Sequence, residues 1–182
     1  IAAISTALSR SAIGIVRMSG DEAISIANTC FFPFYKNDVL SLPDRSLAIG
    51  QLKDSDNQTI DVCLITVSRA PNSYTGENTV EFHCHGSPVV LQSCLQSLFR
   101  RGARQALAGE FTKRAFLNNR MDLMQAESVI DLIDAETSFA ARNAAGQLSG
   151  VISKKIDSVY SDLVDIMAHF HAVIDYPDEE LE

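Results

Sequence analysis

The thirteen residues YTGENTVEFHCHG (74–86) hold two carboxylates, two histidines and a cysteine. Three kinds of site would use such a stretch. His83 and His85 stand two positions apart, so in a strand they share a face and can reach one ion, while Cys84 points to the other face. Zinc motifs draw on two spaced ligand pairs. No second pair with matching spacing occurs, so no metal site is assigned. A Cys–His nucleophile fares no better: Cys84, between Phe82 and His85, reads as a small buried hydrophobe. No serine sits in a nucleophile elbow, and no catalytic residue is assigned. The third reading makes the polar face of the strand a binding surface. A carboxylate such as Glu81 on an inward face is costly unless donors reach it. Arg17, sharing its face with Ile13 and Ile15, poses the mirror problem. The two side chains either pair with each other or hold a ligand, and spacing does not choose.

The elements that carry these residues change character along the chain. AIGIVRMSG (12–20) alternates as a strand, and Ser19 with Glu22 has the spacing of a capping box before a helix bearing Ala23, Ile26, Ala27 and Cys30. SLAIGQL (46–52) and IDVCLITVS (60–68) read as strands joined by the polar turn KDSDNQ. In NTVEFHCH (78–85), Val80, Phe82 and Cys84 point one way and Thr79, Glu81, His83 and His85 the other. Ser87 is expected to cap a helix with Pro88 at its first position, and Gly102 marks that helix's end.

The second half is helical. EFTKRAFLNN is a short helix, and Asp122 with Gln125 caps a single longer one, LMQAESVIDLIDAETSFAARNAA. Gly146 and Gly150 mark either a close helix crossing or a break. Ile152, Ile156, Val159, Leu163, Ile166, Phe170 and Val173 then form a heptad seam that needs a partner helix. The predicted fold class is α+β, a mixed sheet-and-helix domain over 1–117 followed by a long-helix domain over 118–182.

Length and charge narrow the classes. The 182 residues suit one substantial domain with part of another, and 46% hydrophobic composition is ordinary for a packed protein. No apolar run is long enough to span a bilayer, and no signal peptide is visible, so a membrane role is not expected. Four scattered cysteines without a CxxC pair fit a reducing cytosol, and a cytoplasmic location is expected. The net charge of −8 is local: residues 157–182 hold eight acids and no Lys or Arg. Residues 100–120 carry six basic residues against one Glu, a stretch suited to phosphates but more simply a solvated helix surface.

AIGIVRMSG, NSYTGENTVEFHCHGSP, GEFTKRAFLNNRMDLMQAESVIDLIDA and the ending IDYPDEE together resemble, in order and across nearly the whole chain, the N-terminal part of the MnmE (TrmE) family of tRNA-modification GTPases. The resemblance implies an N-terminal α+β domain related in fold to tetrahydrofolate-dependent aminomethyltransferases, which forms a homodimer and binds a folate. It implies a helical domain into which a Ras-like GTPase domain is inserted. It also implies a FAD-containing partner, MnmG, with which an aminomethyl or carboxymethylaminomethyl group is installed on C5 of the tRNA wobble uridine. The one-carbon donor would be 5-formyl- or 5,10-methylene-tetrahydrofolate. GTP, Mg and K would belong to the full-length protein only. By the same resemblance the folate contacts fall on Arg17, Glu81 and Arg120, with His83 and His85 in support. The chemistry agrees: a carboxylate accepts the paired N–H donors of a pterin edge, and arginines suit its carbonyl or the anionic glutamate tail.

Three positions depart from the family pattern. LSRS (8–11) replaces a Gly-rich turn, Ser87 stands in HGSP where the family has Gly, and Ala108 stands in LAGEF where the family has Pro. No GxxxxGK[ST] occurs, and the family's C-terminal Cys motif is absent. The chain also begins at Ile1 rather than Met. The expectation is therefore a fragment that stops where the GTPase insertion would begin and hydrolyses no GTP alone. An alternative is a dimerisation and docking module with a degenerate folate pocket. A free-standing aminomethyltransferase would need a further acid or base at the folate, and the sequence marks none.

Overall fold

The computed structural model describes residues 1–175. It forms two compact units, the first Ile1–Arg120 and the second from Met121 onward. The first is a mixed α+β unit built on a six-stranded sheet. Its strands are β1 (Ala2–Ile4), β2 (Ser11–Ser19), β3 (Phe31–Pro33), β4 (Leu47–Lys53), β5 (Thr59–Ser68) and β6 (Thr79–Gly86). They lie in the order β1-β2-β6-β5-β4-β3, every neighbouring pair antiparallel. Alternation sorts the side chains. Val16 and Met18 on β2, Ile65 and Val67 on β5, and Val80, Phe82 and Cys84 on β6 are buried. Helices α1 (Ala23–Cys30) and α2 (Pro88–Phe99) add Ala27 and Cys30, and Leu91, Cys94 and Leu98, to that core. Each large apolar side chain so buried contributes about 1.5–3 kcal/mol.

The other face of the sheet is open and largely apolar. Ile13 and Leu47 are 60% exposed, Val62 41%, Ile49 39% and Leu64 37%. Arg17, Glu81 and His83 belong to this face, so they are not turned toward the packed interior, as an inward-facing carboxylate would be. The short helix α3 (Glu110–Leu117) completes the unit.

Three local expectations change. Ser19 does not cap α1; the helix begins after Glu22, and no side-chain cap is made. Ser19 stays in β2 opposite Thr79, and its hydroxyl donates to Glu77 Oε2 at 2.7 Å and bonds the Thr75 hydroxyl at 2.7 Å. A nearby carboxylate outcompetes the helix end. Ser87 stands at the N-cap position of α2 but its side chain makes no capping hydrogen bond; its φ of −88° and ψ of 125° are open to any residue, so serine costs that turn nothing. The long helix after Asp122 is two helices, α4 (Leu123–Ile133) and α5 (Ser138–Leu148). Thr137 takes extended dihedrals and accepts the Ala140 N–H at 3.1 Å, a cap that starts a new helix.

In the second unit, Asp122 and Gln125 form the expected reciprocal cap: Asp122 Oδ1 accepts the Gln125 N–H at 2.8 Å, and Gln125 Oε1 accepts the Asp122 N–H at 2.9 Å. Gly150, at φ 77°, ends α5 and lets α6 (Val151–Asp175) begin. The two-glycine signal is thus a break. The heptad seam lies along α6, where Ile156, Val159, Leu163, Ile166 and Phe170 are 54–65% exposed. The acidic ending beyond Asp175 lies outside the described residues. Among the described residues no helix is long and apolar enough to cross a membrane.

Candidate functional site

Strand register brings the two charged residues together. Arg17 on β2 stands directly opposite Glu81 on β6, and Arg17 Nε donates to Glu81 Oε1 at 2.7 Å. The pair expected from the sequence as one of two solutions therefore exists, and it is incompletely used. Among the described residues, neither terminal nitrogen of Arg17 nor Glu81 Oε2 has a hydrogen-bond partner. His83 Nε2 lies 3.5 Å from Glu81 Oε2, is buried, and is hydrogen-bonded to nothing. The three side chains are about one-quarter exposed, at 28%, 26% and 24%. A buried ring nitrogen without a partner is expensive, and a polar group arriving at Glu81 would relieve it.

Two aromatic rings frame the arginine. The Arg17 guanidinium carbon lies 5.3 Å from the Tyr74 ring centroid and 5.6 Å from that of Phe111. Both rings occur in the YTGE and GEF stretches, but sequence reasoning assigned them no role, since Tyr74 lies in a loop without a periodic signal and Phe111, on α3, meets Arg17 only across distant segments. The Tyr74 hydroxyl and the Thr112 hydroxyl share a 2.9 Å hydrogen bond that ties that loop to α3.

Arg120 sits differently from the other two. Its Nε donates to the Ser73 carbonyl at 3.2 Å, and its side chain packs on Gly76. It therefore joins the site through the 73–77 loop and not through the ion pair. At Gly76, φ is 78° and an added Cβ would lie 2.9 Å from the Asn118 Cβ, so this turn requires glycine.

Beneath the loop runs a chain of charges. Arg114 Nη1 donates to both Glu77 oxygens, at 3.1 and 2.9 Å, and Arg114 Nη2 donates to Glu110 Oε1 at 3.2 Å. Glu110 also accepts two bonds from Arg104 and the Leu107 N–H at 2.8 Å. The Arg104 guanidinium, then the Leu107 amide, hold the Glu110 carboxyl down at about 2. The six basic residues of 100–120 are accordingly not a free cationic patch, since Arg104 and Arg114 are spent on Glu110 and Glu77.

His85 does not join His83. It is 73% exposed, and its Nδ1 lies 2.8 Å from Asp61 Oδ1, which raises its pKa through the hydrogen bond and the adjacent negative charge. The larger cavities lie elsewhere; one of about 490 Å³ is lined by Arg104, Glu110, Lys113 and Arg114.

The family model for the N-terminus of the GTP-binding protein TrmE matches residues 1–120, and that for the MnmE helical domain matches residues 123–182. The chain belongs to the TrmE (MnmE) family. It is 45% identical over 183 residues to the tRNA modification GTPase MnmE of Carboxydothermus hydrogenoformans, covering all of this chain and 40% of that protein. It is similar to the MnmE proteins of Clostridioides difficile (43%, all of this chain, 39% of that protein) and Bacillus thuringiensis (45%, 98% and 38%). The chain thus spans about two fifths of the length of the curated MnmE relatives it matches. Within the family match, the Arg17–Glu81 pair and Arg120 all fall in the TrmE N-terminal segment.

Proposed function

We propose that the chain is the folate-binding and dimerising part of a tRNA-modification GTPase, and that Glu81 receives the pyrimidine edge of a tetrahydrofolate one-carbon donor. The observation that carries this reading is the half-used ion pair beside an unsatisfied histidine. Among the described residues, Glu81 Oε2 and His83 Nε2 stand 3.5 Å apart with no hydrogen bond to either. A pterin edge supplies adjacent N–H groups to such acceptors, and the free Arg17 nitrogens suit its carbonyl. Tyr74 and Phe111 offer rings against which a flat heterocycle packs. Arg120, one loop away, is assigned to the anionic tail.

Ligand and second copy go together in this reading. The candidate contacts lie on the open sheet face, and His83 is paired in register with Ile15 and Leu64 beside the exposed Ile13 and Ile49. A second copy laid on that face covers the apolar residues and closes the pocket that one chain leaves open.

In the whole protein, the reading assigns GTP hydrolysis with Mg and K to a further domain. It assigns partnership to the flavoprotein MnmG and gives C5 of the tRNA wobble uridine as the modified atom, in the cytoplasm. This chain by itself is expected to hydrolyse no GTP.

The test is calorimetric titration with 5-formyltetrahydrofolate of the chain and of Glu81→Ala and Arg17→Ala. Saturable binding that weakens about a hundredfold without Glu81 supports the reading, since two charge-assisted bonds of about 1.5 kcal/mol each are lost. A folded, dimeric chain with no folate affinity leaves the docking-module alternative standing.

A further inference from the structure

The helix-covered side of the same sheet carries a second group of donors, independent of the folate reading. Asp61 and Cys63 alternate along β5, and the β5–β6 ladder, Leu64 opposite His83, sets Cys63 against Cys84 one step further on. The two sulfurs are 3.9 Å apart. One carboxylate oxygen of Asp61 lies within 4.8 Å of both. Cys63 and Cys84 are 5% and 1% exposed, and the Asp61 side chain is 9% exposed.

The spacing discriminates between the fates of two thiols. A disulfide needs its sulfurs at about 2.05 Å. A tetrahedral ion with metal–sulfur bonds of about 2.3 Å sets its sulfurs about 3.8 Å apart. The observed separation, at which the Cys84 thiol donates to the Cys63 sulfur, excludes the first and needs little change to reach the second. A carboxylate beside two buried thiols adds a third donor of the kind zinc accepts.

The surroundings fit as well. Asp61 is steadied from outside: the His85 backbone N–H donates to its Oδ2 at 2.8 Å, and His85 Nδ1 lies 2.8 Å from its Oδ1. Carboxylate ligands are held by outer partners in this way. His85, 73% exposed at the end of β6, marks the side from which an ion would enter.

We propose that Asp61, Cys63 and Cys84 form a binding site for a thiophilic divalent cation of the zinc class. The ligands come from Cys84 and its side of the sheet and not from the two histidines of the HCH stretch. On binding, the two thiols give their protons to solvent. The ion gains two thiolates and one carboxylate, so binding strengthens as pH rises.

The experiment is titration of the reduced, metal-free chain with cobalt(II), followed by absorbance. One equivalent is expected to produce sulfur-to-cobalt charge-transfer bands with the intense visible bands of a tetrahedral ion, all displaced by zinc. Cys63→Ser and Cys84→Ser should each lose half or more of the charge-transfer intensity. Cys30→Ser should lose none, because that thiol is outside the set and bonds the Ala27 carbonyl. A weak octahedral spectrum without charge-transfer bands overturns the proposal, as do bands that survive both substitutions. Zinc-edge X-ray absorption of the unsubstituted chain needs no variant to fold. It should find at least two sulfurs at about 2.3 Å, and a shell of nitrogen and oxygen alone overturns the proposal equally.

Discussion

Glu110→Gln isolates the electrostatic support under the 73–77 loop. Glu110 is 9% exposed and takes four donor contacts, from Arg104 twice, the Leu107 amide and Arg114. Hydrogen bonds to a charged group contribute about 1.5–3 kcal/mol each, net of water. Arg104 is 58% exposed, so its share is largely screened. The amide and Arg114 contacts remain, and glutamine keeps one acceptor while turning an NH2 toward guanidinium donors. The loss is about 2 kcal/mol, or about 6 °C in melting temperature for a unit of this size. The pH dependence has a definite sign. The folded-state pKa is depressed from 4.5 to about 2, with Arg104 the largest cause. The stabilisation is therefore present in full above the unfolded value and disappears as pH falls toward the folded one. Thermal melts of both proteins should differ most at neutral pH, begin to approach each other below about pH 5 and converge only near about pH 2. A difference under about 1 °C at neutral pH, or one that persists unchanged into acid, would refute the reasoning.

Leu64→Glu puts a charge in the middle of the open apolar face and should weaken the proposed self-association at least about a hundredfold, seen by sedimentation, with the circular dichroism unchanged. Gly76→Ala strains a φ of 78° and drives a Cβ to 2.9 Å from Asn118, so the urea midpoint should fall by the equivalent of about 1–3 kcal/mol. Asp122→Ala removes the reciprocal cap of α4 at a cost of about 1 kcal/mol, which should appear as faster amide exchange in Leu123–Ala126 than in α5.

The strands bearing the site were legible because alternation is a strong signal where one face is packed. Val80, Phe82 and Cys84 against Glu81 and His83 sort as their spacing predicts. The Asp122–Gln125 cap was equally readable, because both partners lie within one turn. Ser19 misled for the same local reason: its spacing to Glu22 is right, but Glu77 and Thr75, more than fifty residues away in sequence, claim its hydroxyl. Thr137 hid a helix break because threonine is tolerated inside helices as well as at their ends. β1 and β3, three residues each, are too short to show a period. At the site, the Arg17–Glu81 pairing was one of two stated outcomes, while Tyr74, Phe111 and the Glu77–Arg114–Glu110 chain depend on contacts between distant segments. The Asp61–Cys63–Cys84 group was hidden in the same way, since its members come from two strands whose pairing no local spacing shows.

The measurement that bears most directly on the ligand site is the nitrogen-15 spectrum of the histidine side chains during addition of 5-formyltetrahydrofolate. His83 Nε2, now without a partner beside Glu81, should shift strongly as the ligand saturates, while His85, held by Asp61, should stay in place. A His83 resonance that remains fixed at saturating ligand would contradict the account and remove Glu81 as the folate receptor.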